Sequence, residues 1–460
     1  MTSIYGTDAV VGSIIVPGDG RYEAAASFYN RLYRSWPALV VRPVDAQDVA
    51  RALALGQEHG YDVAVKGGGH SVAGYGAIDG GLLLDLAELD RIQLDPEAQL
   101  VAVGGGVRAG AFTAATVEAG MVVPLGDSPD VGVAGLTLGG GIGWLSRRFG
   151  LSLDSLDSAE VVLADGTIVT ASQDDHADLF WALRGGGGNL GVVTSMRFRL
   201  YRIGAILGGM IALPATPRVL RGLLELTGDA PDELGTIALV TRLGPLPFVP
   251  AEAYGQLAVL ITLVWCGDVD EGRRQVDRLR SLAPPIVDAV HVRPYTDMYT
   301  LLADAAPTTI TNSTATLLTD LDRFDDSAIA SVLAALEAPL DTDEPVLSAV
   351  ELRVLGGAIA RVEPDATAFG HRHRELACSV VAAGSAPSRV DQHRAWVRTL
   401  AGGLDHLAMG AYANFVGDAN ETPLAATYPP QTLHRLARIK AHYDPDNTFH
   451  HNLNVDPRST

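Results

Sequence analysis

Four glycine clusters, the first closed by a histidine, most constrain what this chain can fold into. The run Lys66-Gly67-Gly68-Gly69-His70-Ser71 follows a short apolar stretch from Val63 to Val65. Gly104-Gly105-Gly106 comes next, then Gly132-Val133-Ala134-Gly135-Leu136-Thr137-Leu138-Gly139-Gly140-Gly141-Ile142-Gly143, then Gly185-Gly186-Gly187-Gly188-Asn189-Leu190-Gly191. Without Cβ atoms the backbone can approach a ligand closely, and successive N–H groups in a turn form an anion-binding concavity. Core packing does not need glycine at this density; a large, extended ligand does. The first run alone reads equally as a surface loop with a solvated histidine, and its neighbours shift the reading towards a binding loop.

Two familiar explanations of the glycines fail on context. Gly186 to Gly191 formally satisfies G-x-G-x-x-G, but a Rossmann turn follows a strand and opens a helix. Here a helix expected over Ala177 to Leu183 precedes the glycines and a strand from Val192 to Leu200 follows them, the reverse order, which argues against a dinucleotide site of that type. No glycine run ends in Gly-Lys-Ser/Thr, so a Walker-type phosphate loop is absent, and no G-x-S-x-G elbow supports a hydrolase triad.

At 460 residues the chain has material for two cores, and 47% hydrophobic with 19% charged residues describes a globular protein. A net charge of −20, with no basic cluster to reverse it locally, argues against nucleic acid. Of the 34 basic residues only Lys66 and Lys440 are lysines, a skew that reads as coding bias rather than chemistry. Cys266 and Cys378 sit in apolar runs without metal-ligand spacing and read as buried free thiols. Met1 to Asp19 lacks the parts of a secretory leader, and the longest apolar stretch, near Leu257 to Cys266, is about half a membrane span. These features predict a soluble, cytoplasmic protein with no membrane partner.

The first region alternates strands and helices. Val44 to His59 reads as a helix with Asp45 as N-cap and Gly60 as its stop, Arg108 to Ala119 as a second closed by Gly120, and Glu160 to Thr170 as a hairpin turning at Asp165-Gly166. After Arg202 the glycine clusters end. Long apolar strands follow, at Thr236 to Thr241, Leu257 to Trp265, Leu347 to Val354 and Leu376 to Val381, with helices such as Pro217 to Leu226 and Ser327 to Leu336 between them. They suit one antiparallel sheet with helices on one face and a ligand on the other, giving an α+β fold. Along Val350-Glu351-Leu352-Arg353-Val354 the two-residue period puts Glu351 and Arg353 on one side, where they either face a substrate cavity or form a solvent-side pair.

The order of the glycine blocks, with Asp79-Gly80-Gly81-Leu82-Leu83-Leu84-Asp85-Leu86, Pro124-Leu125-Gly126, Asp178-Leu179-Phe180-Trp181-Ala182-Leu183-Arg184 and Tyr443-Asp444-Pro445-Asp446-Asn447-Thr448-Phe449, resembles the berberine-bridge-enzyme-like branch of the FAD-linked oxidases, from about Trp36 to Pro457. The resemblance implies the fold of the vanillyl-alcohol oxidase and p-cresol methylhydroxylase group, in three segments. Residues 1–204 form an FAD-binding domain, 205–409 a substrate domain, and 410–460 return to the flavin domain. It places FAD against Lys66, Gly67, Gly68, Gly69, His70 and Ser71, then against Pro124, Gly126, Ser128, Val131, Gly132, Gly135, Gly139, Gly140 and Gly143. Further contacts fall at Gly191, Val193, Tyr412, Asn414, Asn452 and Asn454. His70 is the implied tether, by attack of a neutral imidazole nitrogen on the flavin 8α carbon; the alternative is a noncovalent flavin beside it. Many relatives carry a second tether in Gly-x-Cys-Pro-x-Val-Gly; Ser128 replaces that cysteine here, so the resemblance implies a single linkage. No metal is implied.

Tyr412-Ala413-Asn414-Phe415 matches the family's Tyr-x-Asn-Tyr except at Phe415, which cannot accept a proton. Tyr412 is then either the catalytic base or a core aromatic. Nor does an acid stand on the strand after Phe369-Gly370-His371-Arg372, where some plant members place a glutamate base. The candidates for catalysis are Tyr412, Glu351 and Arg353. The resemblance implies an oxidase that takes hydride from a C–N or C–OH carbon of a small organic metabolite and passes electrons to O₂. Alternatives are a dehydrogenase with another acceptor and a flavin-holding protein without activity.

Overall fold

The computed structural model describes residues 10–246, 248–301, 310–337, 347–385, 387–417 and 424–459. Residues 1–9 of the stretch read for a leader lie outside them. The helix Ala46–His59 forms as its ends dictate: the Asp45 carboxylate accepts from the Asp48 N–H at 2.7 Å, and Gly60 closes it at φ 66°. Strands Leu39–Arg42 and Val63–Lys66 flank this helix in sequence, and both pair in parallel with Leu82–Asp85 between them. Ser13–Ile15 completes this small sheet antiparallel to Leu39–Arg42.

A second sheet is antiparallel throughout, in the order Ile92–Asp95, Leu100–Gly104, Val192–Arg199, Leu156–Val162, Ile168–Ser172. Its last hairpin turns at Asp165-Gly166, with Gly166 at φ 82°. Helices Ala109–Glu118 and Ala177–Leu183 share its core, and the C-terminal helix Pro430–Tyr443 packs Leu436 and Ala437 into the same cluster as Leu179 and Phe180.

The third sheet runs Val287–Asp288, Ile206–Pro214, Leu257–Trp265, Leu234–Arg242, Leu347–Val354, Leu376–Gly384, Thr311–Thr319, with every neighbour antiparallel and His291–Arg293 also on Ile206–Pro214. Helices Pro217–Gly228, Val269–Arg280, Asp326–Glu337 and Val390–Leu404 bury Leu223, Val276, Ile329 and Leu400 with Ile261, Val350 and Val380 in one cluster. Leu352 and Val354 belong to that cluster, so Glu351 and Arg353 point to the sheet's other face. Strands Ile206–Pro214 and Thr311–Thr319 escape a reading by apolar run, because one carries Gly208-Gly209 and ends in proline and the other is rich in threonine.

The sheet's other face meets the first part of the chain. A Cβ at Gly235 would lie 1.7 Å from the Trp144 carbonyl oxygen, and the Trp144 indole donates to the Thr262 hydroxyl at 3.1 Å. No described helix is long and apolar enough to cross a membrane. Both cysteines are free, and burial pushes both thiols up to about 12.

Candidate active site

A cavity of about 320 Å³ opens among the glycine loops, Val193 of the second sheet and the C-terminal segment. Strand Val63–Lys66 delivers the first loop, so that Lys66 to Ser71 form one wall. The Lys66 ammonium lies 3.2 Å from the Asp85 carboxylate, donates to the Ala25 carbonyl, and is held below its usual pKa chiefly by burial. Opposite, Gly132 caps the short helix Val133–Gly139. The two loops touch: a Cβ on Gly68 would sit 2.2 Å from the Gly132 nitrogen, and one on Gly132 would sit 2.3 Å from the Gly68 nitrogen. Only glycine permits this approach. The amides of Gly68, Gly69 and His70 donate to no other described residue, and Gly69 at φ 70° adopts the left-handed conformation on which anion-binding turns of successive amides are built.

His70 is half-buried on the cavity wall, its ring stacked on Tyr29. Burial first, and then the Arg108 guanidinium, hold its pKa down to about 4 against the pull of Asp130. The imidazole is therefore neutral at physiological pH. Arg108 keeps its place by donating to the Gly68 and Asp130 carbonyls.

Asp127 enters the cavity from the second loop. One carboxylate oxygen accepts from Arg353 at 2.9 Å, while Arg353 also donates to Glu351 at 2.6 Å. Burial would lower the Arg353 pKa, but Asp127 and Glu351 outweigh it and raise it. Arg353 further sits 5.1 Å from the Phe415 ring centroid, and Phe415 lines the cavity. Tyr412 does not line it. Its buried hydroxyl accepts from the Gly141 N–H at 2.8 Å and the Asn414 amide at 2.9 Å, and its pKa is raised by burial.

Of the residues singled out by sequence, Gly126, Val131, Gly135, Gly191, Val193, Asn414 and Asn452 line the cavity with the first loop and Gly132. Pro124, Ser128, Gly139, Gly140, Gly143 and Asn454 stand outside its lining, as do Tyr412, Glu351 and Arg353. Several of these outer positions set the packing. A Cβ on Gly139 would lie 2.1 Å from the Asn414 side chain, one on Gly143 1.9 Å from the Leu125 carbonyl, and Gly140 lies against the Tyr412 ring at φ 145°. Phe28, Asp127, Tyr428 and His451 also line the cavity and were not singled out. Asp127 falls one place before Ser128, in the stretch that corresponds to Gly-x-Cys-Pro-x-Val-Gly; Phe28 belongs to a segment without any motif.

The FAD binding domain family matches residues 37–172, and the berberine and berberine-like family matches residues 411–456. The (R)-6-hydroxynicotine oxidase of Paenarthrobacter nicotinovorans is 30% identical, with 98% of each chain covered. This chain belongs to the berberine-bridge-like FAD-linked oxidoreductases. The crystal structure of 6-hydroxy-D-nicotine oxidase from Arthrobacter nicotinovorans shares the fold at TM-score 0.87 and 27% identity over 98% of both chains. Xylooligosaccharide oxidase from Myceliophthora thermophila does so at 0.83 and 25%, again over 98% of both.

The residues present fit FAD, the cofactor of the berberine-bridge-like family. The unpartnered amides at Gly68 to His70 suit a diphosphate. At Gly135 a Cβ would meet nothing within 4 Å, leaving that wall open to a ligand. The Tyr428 hydroxyl, His451 Nε2 and Asn452 Oδ1 are buried without a partner among the described residues, and all three side chains line the cavity. Buried polar atoms left in this way call for a polar ligand or water.

Proposed function

We propose that this protein is an oxidase that holds FAD by one covalent bond to His70 and removes hydride from a carbon bearing nitrogen in a small organic molecule. The observation that carries the reading is the neutral His70 imidazole at the end of a nest of unpartnered amides in the cavity wall. When bound, FAD supplies a hydride acceptor at N5 and a route for the electron pair to O₂, which leaves as hydrogen peroxide. Gly68, Gly69 and His70 would hold the diphosphate, with Asn452 and Tyr428 completing the polar contacts. Ser128 is not a nucleophile comparable to cysteine, so His70 is the single point of attachment.

Nitrogen rather than oxygen is favoured by what lies beside Asn414. An alcohol needs a base for its hydroxyl proton; an amine that binds neutral does not. Phe415 lines the cavity without an acceptor, and the Tyr412 hydroxyl is outside it with two N–H donors already upon it. The relation to a 6-hydroxynicotine oxidase points the same way. A screen of amines and secondary alcohols for bleaching of the flavin, with peroxide assayed in air, tests the reading. Bleaching by alcohols alone would reverse it, and bleaching without peroxide would make the protein a dehydrogenase.

Two expectations follow from the geometry. Tyr412→Phe should leave the rate of flavin reduction nearly unchanged in stopped flow at every pH, far short of the roughly 10²–10⁴-fold lost with a positioned base. It should instead cost about 1–3 kcal/mol of stability, because the buried Gly141 N–H loses its acceptor. A large rate loss would restore Tyr412 as the base and favour alcohols. The second concerns His70, whose lowered pKa of about 4 means that its nitrogen carries no extra proton at mildly acidic pH. Attachment of FAD to the apoprotein should therefore run at a constant rate from neutral pH down to about pH 5 and fall as pH nears 4. A fall centred near the ordinary histidine value of 6.5 would mean that bulk water reaches the ring.

A further inference from the structure

The glycine loop gives the His70 ring little to fix its plane. Gly67, Gly68 and Gly69 before it have no side chains, the Ser71 hydroxyl after it accepts from the Tyr75 N–H, and the second side-chain torsion of histidine is broad rather than confined to staggered wells. The restraint comes from outside. Tyr29 stacks on the imidazole with ring centroids 4.4 Å apart and planes 13° from parallel.

Tyr29 is itself fixed at both backbone groups. Its N–H donates to the Gly69 carbonyl at 3.0 Å, and its carbonyl accepts from Ile310 at 3.2 Å, directly before strand Thr311–Thr319. The next residue, Asn30, is fully buried; its amide donates to the Val72 and Asn312 carbonyls, and its side-chain oxygen accepts from the Asn312 N–H. The aromatic ring thus rides on a segment clamped to the histidine loop on one side and to the third sheet on the other. Its hydroxyl has no hydrogen-bond partner among the described residues, so the ring face is the part that acts.

We propose that Tyr29 is a positioning residue for flavin attachment, fixing the plane of the His70 imidazole so that a ring nitrogen is presented to the cavity. The inference rests on the His70 linkage proposed above. Attachment joins that nitrogen to the 8α carbon of FAD. The imidazole N–H and one 8α C–H each give up a proton, and the electron pair of the broken C–H bond enters the flavin with two protons from solvent. O₂ then takes up that pair and the two protons, giving hydrogen peroxide. Only a nitrogen held in line with the carbon reacts quickly, and misplacement by about 1 Å can cost on the order of a hundredfold.

The test compares wild type, Tyr29→Phe and Tyr29→Ala, each prepared without flavin and then given FAD. Covalent flavin is read over time by fluorescence on denaturing gels, and total bound flavin by absorbance of the native protein. Wild type and Tyr29→Phe should attach FAD at similar rates, since both keep the stack. Tyr29→Ala should bind FAD but attach it more slowly, by on the order of tenfold to a hundredfold. Should the alanine variant fail to fold by circular dichroism, Tyr29→Leu, which refills the volume without an aromatic face, carries the same expectation. Attachment at the wild-type rate in the variant without a ring would overturn the proposal, as would a phenylalanine variant as slow as alanine. Release of all flavin from acid-treated wild type would overturn the His70 linkage itself, an outcome distinct from fast attachment in both wild type and Tyr29→Ala.

Discussion

His70→Ala is expected to abolish covalent flavin altogether, leaving acid-precipitated protein colourless where the wild type stays yellow. The reason is the scarcity of nucleophiles in the cavity wall. The Lys66 nitrogen is engaged in an ion pair with Asp85, and neither cysteine lines the cavity. His451, the other histidine on the wall, belongs to the C-terminal segment rather than to a glycine loop. Noncovalent FAD should survive in part, because the amides of the first loop and the polar atoms of Tyr428 and Asn452 remain. As a substituent on the flavin the imidazole would withdraw electrons, so its loss should lower the reduction potential and slow turnover even in the fraction that retains FAD. Peptide mapping of the wild type should give one flavin peptide containing His70. A flavin peptide that persists in His70→Ala would refute the assignment.

Local chemistry made much of this fold readable in advance. Asp45 and Gly60 bound the helix Ala46–His59, Asp165-Gly166 turns the hairpin, and the two-residue period of Leu347–Val354 places Glu351 and Arg353 on the face away from the helices. What escaped was contact between distant segments. Arg353 meets Asp127 across 226 positions, and no pattern within either segment records the pairing. Tyr29 belongs to a stretch with no motif, and its importance lies in the loop it covers. The lysines show a different limit. The near absence of lysine reads from composition as coding bias, yet the two that remain are both buried in ion pairs, with Asp85 and with Asp444. Arginine's planar fork does not replace a compact ammonium whose three donors diverge.

Lys440 carries the largest stability effect expected away from the cavity. Its ammonium, fully buried, uses all three donors: to the Asn189 carbonyl at 2.7 Å, the Phe449 carbonyl at 2.8 Å and the Asp444 carboxylate at 2.9 Å. Asp444, also fully buried, accepts in turn from the Thr448 and Phe449 N–H groups. One charge pair therefore joins the end of helix Pro430–Tyr443, the fourth glycine cluster and the turn that leads to His451 and Asn452 on the cavity wall. Lys440→Met keeps the stem but leaves the Asp444 charge without its counterion, a change that typically costs about 3–5 kcal/mol. Against a total stability of about 5–15 kcal/mol this is a large fraction, and FAD should be lost more readily as the C-terminal turn loosens. Lys440→Arg should recover only part of the loss. The double variant Lys440→Met with Asp444→Asn should be more stable than Lys440→Met alone, because no buried charge is left unpaired. Urea denaturation of the four proteins measures each term, and a Lys440→Met variant within about 1 kcal/mol of wild type would show that water reaches Asp444 and that the pair does not hold the turn.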